Sequence, residues 1–531
     1  MIAAHDSAEP AAVEAVAVEL PDEAASLLFA ADLARAVKPG DLVSLAGDLG
    51  AGKTFLARGL VRALAEAPDL EVPSPTFTLV QTYDECRPPV IHADLYRLAD
   101  PAEVEELGLA EARESGSHIL LVEWLDKADG RLGAPSLAVS LEHAGADGES
   151  RRAIVSGDAD ALARLRRSLA IRDFLRSHGH GTARRRHLTG DASARAYETV
   201  ESKNGDVLVL MDSPRRPPGP VIRDGLPYTR LVHVAEDVMP FVAVDEALRD
   251  AGFAAPAIHA ADLDAGLLLI EHLGTDGVLD GAGAPIPERY EATVRLLAAL
   301  HSRPWNPRIE IAIAPGAVHT VPAFDPRAMG IEVSLLLDWF LPRMRGRPTS
   351  AEERARFAAV WDALFEIVGR SEASLVLRDV HSPNLIWRAH ETGHRRLGLI
   401  DFQDAMIGPA AYDVASLAQD ARVDVSPDLE ARLVLAYRRA RESADAGFGA
   451  ARFEEAYAIM AAQRATKILG LFVRLDERDG KPHYLRHLPR IRDYMRRSLN
   501  HPTLARLRQL YADWSLLDEA PVPPRTIGTR P

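Results

Sequence analysis

Eight consecutive residues, Gly47-Asp48-Leu49-Gly50-Ala51-Gly52-Lys53-Thr54, constrain this chain more than any other stretch. They fit the pattern GxxxxGK[ST], in which a glycine-rich turn wraps backbone N–H groups around a phosphate. Such a loop needs a strand before it and a helix after it, because the helix N-terminus adds positive potential. Both neighbours are legible. The apolar run Leu42-Val43-Ser44-Leu45-Ala46 predicts a short buried strand, and residues 54–66 predict a helix. A chance glycine-rich turn would match the bare pattern without that flanking order. On this reading Lys53 reaches the β- and γ-phosphates of ATP, and Thr54 is a ligand of Mg2+.

The surrounding pattern extends the expectation to a domain over residues 12–158. A helix is expected over 21–37, closed before Pro39-Gly40, with further strands over 77–83, 90–93, 118–123 and 136–141. Strands alternating with helices imply an α/β domain with a largely parallel sheet. Ligands of such sheets gather at the carboxyl ends of the strands, where Asp94 and Glu123 stand. Both are candidates to act beside the metal, although acids at strand ends are also common on plain surfaces. Between them, Ser74-Pro75-Thr76-Phe77-Thr78 is a turn whose hydroxyls suit the sensing of a γ-phosphate, or a plain proline-directed turn.

Charge narrows the partners. The first 160 residues hold 29 acidic against 12 basic residues, whereas the rest of the chain is nearly balanced. So acidic a domain repels phosphate backbones; direct nucleic-acid binding by it is not expected, and docking on a protein is. The single cysteine, Cys86, excludes an intrachain disulfide and a cysteine-based zinc cluster. With no basic-then-apolar leader and no apolar run long enough to span a bilayer, the expectation is a cytoplasmic protein without membrane contact.

Residues 159–177 predict an arginine-rich connecting helix, its arginines a solvated face. Strands expected at 197–201, 207–211 and 267–270 make a small, mostly β lobe over about 178–272, followed by a helical lobe over about 273–515 and a loose, proline-rich tail over 516–531. Inside the helical lobe, Arg378-Asp379-Val380-His381-Ser382-Pro383-Asn384 sets an Asp and an Asn five residues apart. Ile400-Asp401-Phe402-Gln403-Asp404 follows, the two segments being separated by apolar strands at 385–388 and 397–400. Singly, such residues are turn formers. Together they fit a kinase-type site, with Asp379 as base for the attacking hydroxyl and Asn384 and Asp401 as magnesium ligands. Upstream, the polar loop from His187 to Arg195 suits the covering of phosphates, or is an ordinary hairpin.

Two resemblances give these motifs a context. GDLGAGKT, PSPTFTLVQTY, HADLYRL and VEWLDK follow one another across residues 12–155, which resemble TsaE, the small ATPase of bacterial tRNA threonylcarbamoyladenosine synthesis. The resemblance implies that Thr76 belongs to a mobile switch and that Asp94 and Glu123 act on magnesium and the attacking water. It also implies partners like TsaB and TsaD, the subunits of the threonylcarbamoyl transferase complex. Residues 171–510 resemble the aminoglycoside-phosphotransferase-like kinases through LTGDASARAYETV, VLVLMDSP, LRDVHSPNLIW, LIDFQDAMIGPAAYDVASL and QRATKILGLFVRLDERDGKPHYL. Within that family they are most similar to the anomeric sugar kinases of cell-wall recycling. This implies ATP-dependent phosphorylation of N-acetylmuramate and N-acetylglucosamine at the anomeric hydroxyl, with Asp413 as a buttress.

Two positions depart from the family pattern. Leu377 stands where a His usually precedes the catalytic Asp, and residues 208–212 lack the usual ATP-binding lysine. Arg195 is a candidate to neutralise the phosphates instead. The residues that contact the sugar do not follow from the sequence; Arg464 and Arg474, in a helical stretch, could equally be surface or core-pairing residues. The fold expected is an α/β P-loop NTPase domain followed by a two-lobed protein-kinase-like (α+β) phosphotransferase domain, both using ATP and Mg2+. Two competing readings stay open at this point: a non-catalytic, kinase-like regulatory or scaffold second half, and a phosphotransferase for another acceptor such as an aminoglycoside.

Overall fold

The apolar run ahead of the glycine-rich loop lies inside a seven-stranded sheet. Seven strands, β1 (Val16–Leu20), β2 (Leu42–Ala46), β3 (Val80–Tyr83), β4 (Val90–Asp94), β5 (Ile119–Glu123), β6 (Leu137–His143) and β7 (Arg151–Gly157), are ordered β1-β7-β6-β2-β5-β4-β3. The computed structural model describes residues 15–145, 150–188, 195–518 and 523. Two units make up the chain: residues 1–189 with 198–207, and residues 190–197 with 208–531.

In the first unit the sheet is parallel only at its centre, across β4, β5, β2 and β6. The outer strands β3, β7 and β1 are antiparallel to their neighbours. This corrects the expected, largely parallel sheet. The connections from β3 to β4 and from β6 to β7 are too short for a crossover, so each pair must return as a hairpin. Four helices accompany the sheet: α1 (Glu23–Ala36), α2 (Lys53–Leu64), α3 (Leu109–Ser115) and α4 (Ala159–Ser177). Asp22 starts α1 by accepting from the Ala25 amide at 2.7 Å. Leu33 of α1, Leu60 of α2 and Val43, Leu121 and Val139 of the sheet share one buried core.

The arginine-rich helix α4 departs from expectation. It belongs to the first unit, and its arginines are not all solvated. Arg172 of α4 and Arg185 both pair with the buried Asp32 of α1 at 3.0 Å. Arg164 reaches Asp41 at 2.6 Å. Periodicity could not reveal this, because α1 supplies the carboxylate from 140 residues away.

In the second unit, the strand Leu267–Glu271 pairs antiparallel with both Ile258–Asp262 and Val207–Asp212. The helix Met239–Asp250 contributes Val242, Val244 and Leu248 to the same core as Met211 and Leu268. Helices dominate from Pro287 onward. Among the described residues three small antiparallel pairs interrupt them: Arg308–Glu310 pairs with Val318–Thr320, Ala373–Val376 with Met406–Pro409, and, nested inside the latter, Leu385–Trp387 with Leu397–Leu399. The connections between the last two pairs hold residues 377–384 and 400–405, which carry the kinase-type motif. The 28-residue helix Ala450–Glu477 runs beside Pro326–Leu335. At Gly470 an added Cβ would stand 2.2 Å from the Leu335 carbonyl carbon, so only glycine permits this approach. Leu516, expected in a loose tail, is buried in the core. Residues 12–14, most of the loop preceding Arg195 (189–194), and tail residues 519–522 and 524–531 lie outside the described residues. Among the described residues no helix is long and apolar enough to cross a membrane.

Candidate active sites

Strand β2 ends at Ala46 and α2 begins at Lys53, with the glycine-rich turn between them. Gly47, Gly50 and Gly52 have φ of +136°, +84° and +101°, a region costly for residues with side chains. A Cβ on Gly47 would meet the Leu141 carbonyl oxygen at 2.5 Å; on Gly50 or Gly52 it would meet nothing within 4 Å. The base of the loop is thus packed, and its mouth is open. Arg151 ties the turn down, donating from Nε to the Ala51 carbonyl at 3.1 Å. At the tip, Asp48 supplies a carbonyl and Leu49 is exposed.

Lys53 folds over this mouth. Its Nζ donates to the carbonyls of Gly47 at 2.7 Å and Asp48 at 3.0 Å, and lies 4.1 Å from the centre of the Trp124 ring. Burial lowers the pKa of this ammonium, against the opposing pull of Glu123, Asp94 and Asp48. The two acids occupy matched positions on the adjacent strands β4 and β5. Thr54 Oγ1 donates to Glu123 Oε2 at 3.1 Å, and Thr76 Oγ1 to Asp94 Oδ2 at 2.6 Å. One carboxylate is therefore bonded to the hydroxyl that follows the lysine, and the other to the expected switch. Residues 77–79, expected as strand, are instead part of that turn: the Leu79 amide bonds back to the Pro75 carbonyl at 2.6 Å, with Leu79 at φ +64°. Proline set the turn, and the strand waits until Val80.

In the second unit Asp379, Asn384 and Asp401 come together. The Asn384 amide donates to the Asp379 carbonyl at 2.9 Å and to Asp401 Oδ2 at 3.3 Å. Gln403 Nε2 holds the other oxygen of Asp401 at 2.9 Å, and Arg195 Nη1 lies 3.6 Å from it. Burial, reinforced by Asp379, raises the Asp401 pKa. For Asp379 burial acts the same way, but His381, Lys467, Arg378 and Arg464 outweigh it and hold the carboxyl below its usual value. His381 itself is pushed down to about 4 by burial and by Arg422, so near neutral pH its imidazole is uncharged. The positive field on Asp379 then comes from Lys467 and the two arginines.

The loop backbone is anchored by Asp413, which accepts from the amides of Leu377 at 2.7 Å and Arg378 at 2.9 Å. Leu377, in place of the usual His, is packed in the core. Arg378, at φ +73°, sends its guanidinium to Glu332 at 2.6 Å, and Lys467 reaches the same carboxylate at 2.6 Å. Those two cations hold the Glu332 carboxyl down at about 2 although burial opposes it.

Comparison with known proteins divides along the same lines. The family model "Threonylcarbamoyl adenosine biosynthesis protein TsaE" matches residues 20–154, and the model "Phosphotransferase enzyme family" matches residues 184–453. An N-acetylmuramate/N-acetylglucosamine kinase of Caulobacter vibrioides is 34% identical over 354 residues, covering 64% of this chain and 95% of that protein. The tRNA threonylcarbamoyladenosine biosynthesis protein TsaE of Haemophilus influenzae is 36% identical over 136 residues, covering 25% of this chain and 84% of that protein. That of Rickettsia felis is 42% identical over 110 residues, 21% of this chain and 63% of the relative. The chain belongs to both families, one in each half.

ATP and Mg2+ are what both families use, and the side chains present fit them. In the TsaE half, the open glycine mouth is a cradle that any Cβ would fill, and Thr54, Thr76, Asp94 and Glu123 offer only oxygen donors. In the phosphotransferase half, Asn384 and Asp401 offer an amide and a carboxylate oxygen. Among the described residues no group of three or more His, Cys, Asp or Glu is poised for a metal. Magnesium does not require one, since it is commonly held by one or two protein oxygens besides phosphate and water.

Several residues of these sites were not foreseen from the sequence. His92, fully buried, hydrogen-bonds Glu123 Oε1 at 3.1 Å; it lies two residues before Asp94 on β4, so strand alternation could have found it. Glu332 had no such signal, lying 46 residues from Arg378 and 135 from Lys467.

Proposed function

We propose that this chain joins two ATP-dependent enzymes. The TsaE half hydrolyses ATP in support of tRNA threonylcarbamoyladenosine synthesis, acting on TsaB- and TsaD-like subunits rather than on tRNA. The phosphotransferase half transfers the terminal phosphate of ATP to the anomeric hydroxyl of N-acetylmuramate or N-acetylglucosamine. Both reactions belong in the cytoplasm, where ATP is supplied. In the first site Lys53 and the backbone of residues 47–52 grip the phosphates, Thr54, Asp94 and Glu123 serve the magnesium and the water, and Thr76 senses the γ-phosphate. In the second, Asp379 takes the proton of the sugar hydroxyl, while Asn384 and Asp401 hold magnesium.

The observation that carries the catalytic reading of the second half is the bridge made by Asn384 between Asp379 and Asp401. A scaffold domain would have no use for two carboxylates drawn together by an amide at one site, where like charges repel unless a cation joins them. Arg195, beside Asp401, supports the view that an arginine replaces the missing lysine at the phosphates. The test is turnover by the full chain. Lys53→Ala is expected to abolish TsaE-type ATP hydrolysis and leave sugar phosphorylation intact, and Asp379→Ala the reverse. If the wild-type protein transfers phosphate to neither sugar, the kinase assignment fails.

A further inference from the structure

Four basic residues act on the Asp379 side chain, three of them charged near neutral pH, and their partners differ. Arg378 and Lys467 share Glu332, and Gln463 Nε2 adds a third bond to that carboxylate at 2.9 Å. His381 is neutral, and its buried Nδ1 has no hydrogen-bond partner among the described residues. Arg464, in the helix Ala450–Glu477, is only 6% exposed. Among the described residues its guanidinium makes no hydrogen bond or ion pair, and it lies 6.0 Å from the centre of the Tyr412 ring. Arg474, further along the same helix, stacks over Tyr228 at 4.7 Å, and its Nε is likewise without a hydrogen-bond partner among the described residues. Of the possibilities open for Arg464, a surface residue is excluded by its burial and a core ion pair is not made, which leaves a contact to the sugar.

A guanidinium this little exposed, with no direct ion pair or hydrogen bond, is more expensive than a paired one, and the charge of Asp379 relieves it without touching it. Here it is kept beside the base that must touch the acceptor. Arg464 acts on Asp379, His381 and Tyr412, and lies by the Tyr412 ring, whereas Arg195 is the arginine beside Asp401. The two arginines thus serve different carboxylates of the site, Arg195 that of Asp401 and Arg464 that of Asp379. Of the two acceptors, N-acetylmuramate carries a carboxylate and N-acetylglucosamine does not.

We propose that Arg464 binds the carboxylate of N-acetylmuramate and so makes the phosphotransferase site favour an acidic amino sugar over a neutral one. The unpartnered His381 Nδ1 is free to bond an acceptor hydroxyl. The inference rests on the sugar-kinase reading and adds which group tells acceptors apart. Arg464→Gln keeps much of the side chain's length and polarity without charge, and Arg464→Lys restores charge without the fork.

The full-length protein is assayed with N-acetylmuramate, its methyl ester and N-acetylglucosamine, and binding of each sugar is measured calorimetrically with ADP present. Losing one partner of a buried charge pair predicts a rise of about thirtyfold or more in KM and Kd for N-acetylmuramate in Arg464→Gln. N-acetylglucosamine should change by less than about threefold, Arg464→Lys should recover part of the acid's affinity, and wild type should bind the ester as weakly as the variant binds the acid. Equal losses for acid and neutral sugar, or acid and ester bound alike by wild type, would overturn the role of Arg464 and leave the kinase reading standing. Transfer to neither sugar by wild type would remove both.

Discussion

Asp245 lies on the helix Met239–Asp250 and is 1% exposed, and its Oδ1 has no hydrogen-bond partner among the described residues. Burial pushes its carboxyl up to about 8, only partly relieved by Arg249. The folded chain therefore binds a proton here that the unfolded chain releases near the ordinary carboxylate value. Stability from this group is complete at low pH and is lost as pH rises toward about 8, at no more than about 1.4 kcal/mol per pH unit. Asp245→Asn, which cannot ionise, should be more stable than wild type, with a gap in urea unfolding free energy that widens from pH 5 to pH 8. A gap independent of pH would mean that Asp245 is already charged or solvated in the folded protein. Asp379, half-buried, goes the opposite way because the charges of Lys467, Arg378 and Arg464 act on it. Environment, not residue type, decides which acid is ready to accept a proton from a sugar.

At the scale of elements, two contacts carry more than their size suggests. Where helix Ala450–Glu477 crosses Pro326–Leu335, Gly470 is pressed against the Leu335 backbone. Gly470→Ala must force the two helices apart, so a loss of about 1–3 kcal/mol or more is expected in equilibrium unfolding; a silent substitution would show that this crossing can shift freely. In the first unit, Asp32 of α1 neutralises both Arg172 and Arg185. Asp32→Asn leaves two buried guanidinium groups short of charge, and a loss of about 3–5 kcal/mol should appear in thermal or urea unfolding of that unit. What was legible beforehand follows the range of the interactions. The turn from Gly47 to Thr54, the strand of residues 42–46, and the hairpin carrying Asn384 and Asp401 are set by neighbouring residues, and their positions could be read from spacing. The antiparallel outer strands, the grip of Asp32 on α4 and the three-way bond at Glu332 depend on residues far apart in the chain. No local period announces those. Arg464 shows the limit most clearly, since its helical spacing suits a surface, a core pair or a ligand equally, and only its surroundings choose.

Each unit of the molecule has its own hydrophobic core, so each should melt as a distinct cooperative body. A non-hydrolysable ATP analogue with magnesium, at about one hundred times its dissociation constant, should stabilise a site by about 2.7 kcal/mol and shift both calorimetric transitions upward. Lys53→Ala should cancel the shift of one transition and Asp401→Asn that of the other. If either variant cancels both, the two nucleotide sites are not independent. The path of the chain has a practical consequence for anyone wishing to take the protein apart. Residues 195–197 belong to the second unit, Glu198–Val207 to the first, and from Leu208 the chain belongs to the second again. A single scissile point therefore cannot release both halves whole. Truncation where the TsaE match ends, at residue 154, would strip away the arginines that answer Asp32 and leave a fragment with a charged wound in its core.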